Sequence, residues 1–224
     1  MPTAAIIVAA GSSQRMGFDK LSAPLSGMPV LVHSVKAFCE AQSVDQIYVV
    51  CSENRFAELL SGPFDKPIFR VDGGATRQES VYHGIKALSE EITVVAVHDG
   101  ARPMIRVEDI ELCLERARKY GASALGRKVT ETVKRADADG FARSSIDRSL
   151  LWFMETPQCF RVNILKRAYQ NVREKKLQVT DEVSAVESIG ISTSLVESRH
   201  ANIKITLPAD LQLAAYLMDS DDWR

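Results

Sequence analysis

Near the start of the chain lies the stretch Ala4-Ala5-Ile6-Ile7-Val8-Ala9-Ala10-Gly11-Ser12-Ser13-Gln14-Arg15-Met16-Gly17, and Lys20 follows it. The apolar run at its start is typical of a β-strand, and the small residues after it leave the backbone N–H groups uncovered. A polyphosphate needs close backbone approach, converging donors and fixed positive charge, which Arg15 and Lys20 supply. The stretch therefore predicts a strand that leads into a phosphate-binding loop. The alternative is an ordinary strand-to-helix turn with surface cations.

Two common phosphate-binding motifs do not fit this loop. It lacks the closing Gly-Lys-Ser/Thr of a Walker A loop, and the Gly-x-Gly-x-x-Gly spacing of a dinucleotide fingerprint is absent. A phosphate site at this position is therefore of a different kind.

The chain has 224 residues, 46% hydrophobic and 25% charged, with a formal net charge of −1. This length suits a single α/β domain over residues 1–224. We expect no nucleic-acid or membrane surface, because both need an excess of basic residues. The four cysteines form no Cys-x-x-Cys pair and no histidine stands at zinc spacing, which predicts a cytoplasmic protein with reduced thiols.

Short apolar runs alternate with helical patterns along the chain. Strand candidates are Ala4–Val8, Gln46–Cys51, Ile68–Val71, Val94–Val97 and Ala122–Leu125, and helix candidates are Pro29–Ala41, Arg55–Leu60, Thr76–Leu88, Val107–Tyr120, Arg161–Lys176 and Pro208–Met218. This alternation predicts a Rossmann-like α/β fold, with a mainly parallel sheet and helices on both faces. Ligands of such sheets bind beyond the carboxyl ends of the strands, and Gly11, Gly73 and Asp99 all follow strand candidates.

The pattern changes between Lys128 and Ile146, where short alternating runs flank Asp137-Ala138-Asp139-Gly140. An Asp-Gly turn between such runs predicts a β-hairpin, which we expect to protrude as an arm at about residues 128–147. Such an arm packs either on a partner subunit or on its own domain.

Six short motifs follow one another in order: Ala9-Ala10-Gly11-x-x-x-Arg15-Met16-Gly17 with Lys20, Gly73-Gly74-Ala75-Thr76-Arg77-Gln78-Glu79-Ser80-Val81, His98-Asp99-Gly100-Ala101-Arg102-Pro103, Thr156-Pro157-Gln158-x-Phe160, Thr180-Asp181-Glu182 and Asn202-Ile203-Lys204-Ile205-Thr206. Together they resemble the 2-C-methyl-D-erythritol 4-phosphate cytidylyltransferases of the non-mevalonate isoprenoid pathway, a family of sugar-phosphate nucleotidyltransferases. The resemblance runs from about Ala4 to Leu213. It implies transfer of CMP from CTP to the methylerythritol phosphate with release of pyrophosphate, Mg²⁺ or another divalent cation as cofactor, and a homodimer formed through the arm.

The resemblance also implies roles for individual residues. Catalytic positions are Arg15, Lys20 and Lys204, and nucleotide-binding positions are Ala9, Ala10, Gly11, Ser12, Gly73, Gly74, Ala75, Ser80 and Arg102. The small residues let a pyrimidine ring lie against backbone groups. Lys204 alternates with isoleucines on a predicted strand and points either to solvent or into the site. Arg77 could equally be a surface cation.

On the acceptor side the resemblance implies Thr132, Arg148, Thr156 and Thr180. An arginine with hydroxyl donors suits a phosphate dianion that carries a polyol. Thr132 and Arg148 flank the arm, so they can reach a neighbouring subunit. Thr180-Asp181-Glu182 reads equally as the start of a helix, with its cap and first-turn acids.

Asp99 is the predicted metal ligand, because one carboxylate at the end of a strand can hold Mg²⁺ together with phosphate oxygens. The alternative is that its side chain caps the turn by binding the Arg102 amide. His98 is interpreted as a packed residue.

Three departures from the family's pattern affect these expectations. Asp19-Lys20-Leu21 replaces the usual Pro-Lys-Gln, Ser13 replaces a glycine, and Ala201 stands where many relatives have an acid. Two other functions stay open: transfer to another polyol phosphate such as ribitol 5-phosphate, and nucleotide binding without catalysis.

Overall fold

A computed structural model of the chain describes residues 1–11 and 16–220. Its strands are β1 Thr3–Val8, β2 Pro24–Leu25, β3 Met28–Pro29, β4 Gln46–Val50, β5 Ile68–Val71, β6 Val94–Asp99, β7 Ala122–Lys128, β8 Val133–Ala136, β9 Ala142–Ile146, β10 Trp152–Arg161 and β11 Ser194–Glu197. Its helices are α1 Val30–Glu40, α2 Glu53–Leu59, α3 Arg77–Ala87, α4 Val107–Tyr120, α5 Val162–Glu174, α6 Glu182–Glu187 and α7 Pro208–Asp219. The five strand candidates and the six helix candidates of the alternating pattern are all present.

Seven strands form the central sheet in the order β11-β7-β10-β6-β1-β4-β5. The pairs β1–β4, β1–β6, β4–β5 and β7–β11 are parallel, whereas β10 is antiparallel to both β6 and β7. The prediction of a mainly parallel sheet is therefore confirmed. At the carboxyl edge Val8 lies opposite both Val50 and Asp99, which brings the ends of three strands together.

Both faces of the sheet are covered, as the alternation within β1 illustrates. Ala5 and Ile7 belong to one buried cluster, which includes apolar residues of α1, α4 and α7. Ala4 and Ile6 belong to the other cluster, which includes residues of α3, α5 and α6. Full burial of an isoleucine contributes about 1.5–3 kcal/mol, so these layers hold the loops at the edge of the sheet on a rigid base.

The predicted arm is present as a two-stranded antiparallel hairpin of β8 and β9. Every residue of its strands is exposed except Val133 and Ile146 at the base, which are half-buried. In the turn, Asp137 Oδ1 accepts hydrogen bonds from the Phe141 and Asp139 amides at 2.9 and 3.2 Å, and Gly140 adopts a φ of +84°. The hairpin therefore buries little surface against its own chain.

Two strands of the sheet, β10 and β11, are not predicted by the sequence pattern. In β10 the apolar run is broken by Glu155, Thr156 and Gln158, and its register with β7 shifts between Met154 and Gln158, around Pro157. Proline lacks an N–H group and is typical of such irregularities. None of the described helices is long and apolar enough to cross a lipid bilayer.

Candidate functional site

The loops that leave β1 and β5 and the end of β6 enclose a cavity of about 510 Å³. Small residues shape its walls. A Cβ atom on Gly73 would clash with the Ala10 side chain, and one on Gly74 would clash with Glu79. The lining residues include the predicted metal ligand Asp99 and most predicted nucleotide-binding and catalytic positions, namely Ala9, Ala10, Gly11, Lys20, Gly74, Ala75, Ser80 and Lys204.

A second cavity of about 540 Å³ lies between β10 and α6. It contains Thr156 and Thr180, two of the predicted acceptor-binding residues, and also Arg102. Arg102 was predicted to bind the nucleotide, but it lines this second cavity and is not among the residues that line the first. Its guanidinium donates to the Asn202 carbonyl at 2.6 Å and to the carbonyl of Met154, which lines the second cavity, at 3.5 Å.

Arg77, Asp99 and Lys204 line both cavities and so form the wall between them. Asp99 Oδ1 accepts from Arg77 Nε at 3.0 Å, and Oδ2 accepts from Lys204 Nζ at 2.6 Å. Burial opposes ionisation of Asp99, but the charges of Arg77 and Lys204 outweigh it and hold its pKa well below the usual range. The carboxylate is therefore ionised at neutral pH.

The position of Asp99 settles one alternative left open by the sequence. The Arg102 amide donates to the backbone carbonyl of Asp99 at 2.9 Å, not to its carboxylate. The interpretation of Asp99 as a side-chain cap of this turn is therefore wrong, and the carboxylate faces the two cavities.

Arg77 is a site residue that the sequence left as a possible surface cation. It binds both oxygens of Glu182, Oε1 at 2.8 Å and Oε2 at 3.0 Å, in addition to Asp99. Glu182 is fully buried and also accepts from the Tyr169 hydroxyl at 3.0 Å. No sequence signal joins residues 77 and 182, because their contact exists only when α3 and α6 pack on the same face of the sheet.

Ser80 is 2% exposed and supports the loop of the first cavity. Its hydroxyl accepts from the Gly74 amide at 3.1 Å and donates to the Thr76 carbonyl at 2.9 Å. Thr76 in turn caps α3 through the Glu79 amide. Ser80 therefore holds the loop of Gly73, Gly74 and Ala75 in place, and Gly74 and Ala75 of this loop line the cavity.

On the acceptor side, Thr156 Oγ1 accepts from the Asp99 amide and contacts His98 Nδ1, both at 3.1 Å. Burial lowers the pKa of His98 to about 4, so the ring is neutral, and the interpretation of His98 as a packed residue is confirmed.

Gln158 Oε1 accepts from the Glu182 and Val183 amides at 3.0 Å. Asp181 caps α6 by accepting from the Ser184 amide. The prediction that Thr180-Asp181-Glu182 begins a helix is therefore also confirmed.

Lys20 lines the first cavity, whereas two predicted acceptor residues lie away from both cavities. Lys20 Nζ donates to the Ile205 carbonyl at 2.7 Å, beside the first cavity. Thr132 and Arg148 are exposed next to the arm and line neither cavity. Ser12 and Arg15 lie outside the described residues.

The expectation that Lys204 lies on a strand is wrong. Residues 201–206 have no strand structure, although the Ile205 amide donates to the Ala101 carbonyl at 2.8 Å. The alternation of apolar residues arises because Ile205 is fully buried and Ile203 packs on the same core. The side chain of Lys204 points into the site, as one of the two sequence alternatives expected.

Asp99 is the only acid among the described residues that line the first cavity. The described residues contain no group of three or more His, Cys, Asp or Glu side chains that could hold a metal ion. One ionised carboxylate, with a single hydrogen bond at each oxygen, nevertheless fits an Mg²⁺ ion that takes its other ligands from phosphates and water.

Comparison with known proteins gives concordant results. The family model described as IspD, 2-C-methyl-D-erythritol 4-phosphate cytidylyltransferase, matches residues 3–220. The protein of that name from Bacillus licheniformis is 39% identical over 222 residues, covering 96% of this chain and 95% of the relative. The chloroplastic one from Oryza sativa subsp. japonica is 37% identical, covering 96% and 73%. The crystal structure of 4-diphosphocytidyl-2C-methyl-D-erythritol synthase from Anaerococcus prevotii has a TM-score of 0.88 at 27% identity, covering 98% and 96%.

Proposed function

The chain belongs to the 2-C-methyl-D-erythritol 4-phosphate cytidylyltransferase family, and from this premise we propose that it transfers CMP from CTP to 2-C-methyl-D-erythritol 4-phosphate. A phosphate oxygen of the acceptor attacks the α-phosphorus of CTP, the bond to the β-phosphate oxygen breaks, and pyrophosphate leaves. The product is 4-diphosphocytidyl-2-C-methyl-D-erythritol, an isoprenoid precursor. The observation that carries the proposal is the pair of cavities that meet at Asp99 and Lys204.

The two cavities suit the two substrates. The first is the nucleotide cavity, in which the glycine loop (Gly73, Gly74 and Ala75) and the loop after β1 present backbone groups to the base, ribose and phosphates of CTP. The second is the acceptor cavity, in which the hydroxyls of Thr156 and Thr180 and the guanidinium of Arg102 suit a polyol phosphate. Because the two cavities adjoin at Arg77, Asp99 and Lys204, substrates bound in them have their reacting atoms close together. Such proximity accounts for much of the rate enhancement of a phosphoryl transfer.

Positive charge at the junction stabilises the transition state. Lys204 and Arg77 stand at the wall, and Lys20 lies at the side of the nucleotide cavity. Because negative charge builds on the oxygens around the α-phosphorus and on the leaving pyrophosphate, preorganised cations lower the barrier. Arg15 adds a further cation of the same loop in this proposal. A general base is unnecessary, since a phosphate dianion is already a nucleophile at neutral pH.

Asp99 is the residue that would hold Mg²⁺ beside the nucleotide phosphates. When bound, the ion neutralises charge on the phosphate oxygens. Arg77 and Lys204 keep the carboxylate ionised and oriented toward the cavities, so its negative charge is available to a cation at neutral pH.

The arm supports a homodimer. Its strands are almost wholly exposed, and Phe141 and Leu150 on or beside it are 66% and 86% exposed. A partner subunit that covers these residues would also bring its Thr132 and Arg148 toward the acceptor cavity. The four cysteines are free thiols, which suits the reducing cytoplasm.

Pyrophosphate release with Mg²⁺ and CTP tests the function, with methylerythritol phosphate and ribitol phosphate compared as acceptors. Release with methylerythritol phosphate alone is the expected result. Release with ribitol phosphate alone would keep the reaction and replace the acceptor. Silence with both acceptors, from folded protein that binds CTP, would contradict catalysis.

A further inference from the structure

Arg55 on α2 forms an ion pair with Asp19, the residue before Lys20. Arg55 Nη2 and Nε lie 3.0 and 3.2 Å from Asp19 Oδ2. The same carboxylate accepts from the Leu21 amide at 3.1 Å and the Ser22 hydroxyl at 3.0 Å. The carboxylate therefore fixes the backbone immediately after Lys20 as well as the guanidinium.

The Arg55 guanidinium also reaches the end of β1. It donates through Nη1 to the Ala9 carbonyl and through Nη2 to the Gly11 carbonyl at 3.5 Å. The side chain is only 13% exposed. A planar guanidinium carries its donors in a fixed fork, so one group sets the distance between three acceptors.

The residues joined in this way all belong to the nucleotide cavity or adjoin it. Ala9, Gly11 and Lys20 line the cavity, but Arg55 and Asp19 do not. Lys20 also binds the Ile205 carbonyl, next to Lys204. The arrangement ties the chain before and after residues 12–15 to one rigid side chain.

We propose that Arg55 is a positioning residue for the nucleotide site, which acts through Asp19 and the Ala9 and Gly11 carbonyls to set the spacing between the loop backbone and Lys20. The inference rests on the proposed function, because this spacing matters only if a triphosphate binds there. A merely structural ion pair would instead contribute up to about 1 kcal/mol to stability and affect both substrates alike.

Four single variants and one double variant test the proposal. Arg55→Gln removes the charge and most of the fork, Arg55→Lys keeps the charge without the fork, and Asp19→Asn keeps the shape of the carboxylate without its charge. The control is Arg70→Gln, because Arg70 on β5 forms a more exposed ion pair with Asp72 at 2.5 Å and lines neither cavity. The measurements are the dissociation constant for CTP by calorimetry, kcat, and KM for each substrate, with Tm as the record of folding.

We expect Arg55→Gln to lower kcat/KM for CTP by about tenfold to a hundredfold, the scale of a displacement of about 1 Å. The KM of the acceptor should change less than about threefold, and Arg55→Lys should show the same split more weakly. The double variant with Asp19→Asn should be no worse than Arg55→Gln, because both changes break one shared contact.

Equal changes in both KM values, unchanged kinetics in Arg55→Gln, or an equal effect of Arg70→Gln would each overturn the positioning role. Wild-type turnover is measured first. Wild-type protein that neither binds nor uses CTP would contradict the proposed function itself. Wild-type activity with kinetically silent Arg55 variants would overturn the inference alone.

Discussion

Lys204 Nζ lies 2.6 Å from Asp99 Oδ2, although the two residues are 105 positions apart in the chain. The contact joins the segment after β11 to the end of β6, at the wall where both cavities meet. Because Lys204 is 40% exposed while Asp99 is 10% exposed, the ammonium can reach toward a bound phosphate without leaving the carboxylate isolated in the core.

Replacement of Lys204 by alanine should remove one preorganised cation from the transition state. We expect kcat to fall by about two to three orders of magnitude, with Tm nearly unchanged because the side chain is partly exposed. Lys128→Ala is the control, since Lys128 forms an exposed ion pair with Glu197 at 3.2 Å outside the site. Steady-state kinetics of both variants decide the matter, and equal losses of activity would contradict the assignment.

Glu182→Gln should destabilise the fold, because it removes the fully buried carboxylate that binds the Arg77 guanidinium and leaves Asp99 as its remaining anionic partner. The expected loss is about 3 kcal/mol in the free energy of unfolding, since Glu182 is fully buried and binds through both oxygens. Tyr169→Phe should cost about 1 kcal/mol, as only one hydrogen bond disappears. Urea denaturation measures both. The exposed Glu174→Gln serves as control, and a Glu182→Gln loss no larger than that of this control would show that the pair contributes little.

Arg148→Ala should raise the KM of the acceptor more than that of CTP. If Arg148 acts in the partner's site, mixing it with inactive Lys204→Ala should restore about a quarter of wild-type activity. Half of the dimers formed by exchange are then mixed, and each contains one intact site. Activity after unfolding and joint refolding of the two variants is the measurement. Failure to recover activity in confirmed mixed dimers would place Arg148 in its own subunit's site, and unchanged kinetics of Arg148→Ala alone would place it outside both.

His98 should make stability depend on pH between about 6.5 and 4. Burial lowers its pKa from 6.5 to about 4, so the unfolded chain binds a proton at pH values where the folded protein does not. The stabilisation by this neutral ring is complete above pH 6.5 and is lost as the pH falls, by about 3 kcal/mol in total. Urea denaturation at pH 7.0, 5.5 and 4.5 should show this slope. The slope should be absent in His98→Gln; an equal slope in that variant would assign it to other groups.

Much of the fold follows from the sequence, because β1, β4 and β6 are apolar runs in the middle of a sheet with both faces covered. The motif residues at the ends of these strands then meet at one edge by topology alone. The sequence pattern does not predict β10, because its polar residues Glu155, Thr156 and Gln158 face the acceptor cavity and α6. These polar side chains interrupt the apolar run on which strand prediction depends.

The site was less predictable wherever it depends on contacts distant in sequence. Arg77 reads as an exposed residue at a helix start until Glu182 and Asp99 are brought to it. Lys204 reads as a strand residue because Ile203 and Ile205 alternate with it, yet these isoleucines pack on the core from an irregular segment. Arg102 shares a motif with Asp99, but Asp99 lines both cavities whereas Arg102 lines the second and not the first.

Gln158 ties the start of α6 to β10, since its amide oxygen accepts from the Glu182 and Val183 amides and its nitrogen donates to Asp181 at 2.9 Å. β10 and α6 thus form one assembly around the acceptor cavity, and this cavity shares Arg77, Asp99 and Lys204 with the nucleotide cavity. Because the loops of the nucleotide cavity follow β1 and β5, substitutions in β10 and α6 can change which polyol phosphate is bound while those loops keep their sequence. A family built on this plan can diversify its acceptors by editing one strand and one short helix.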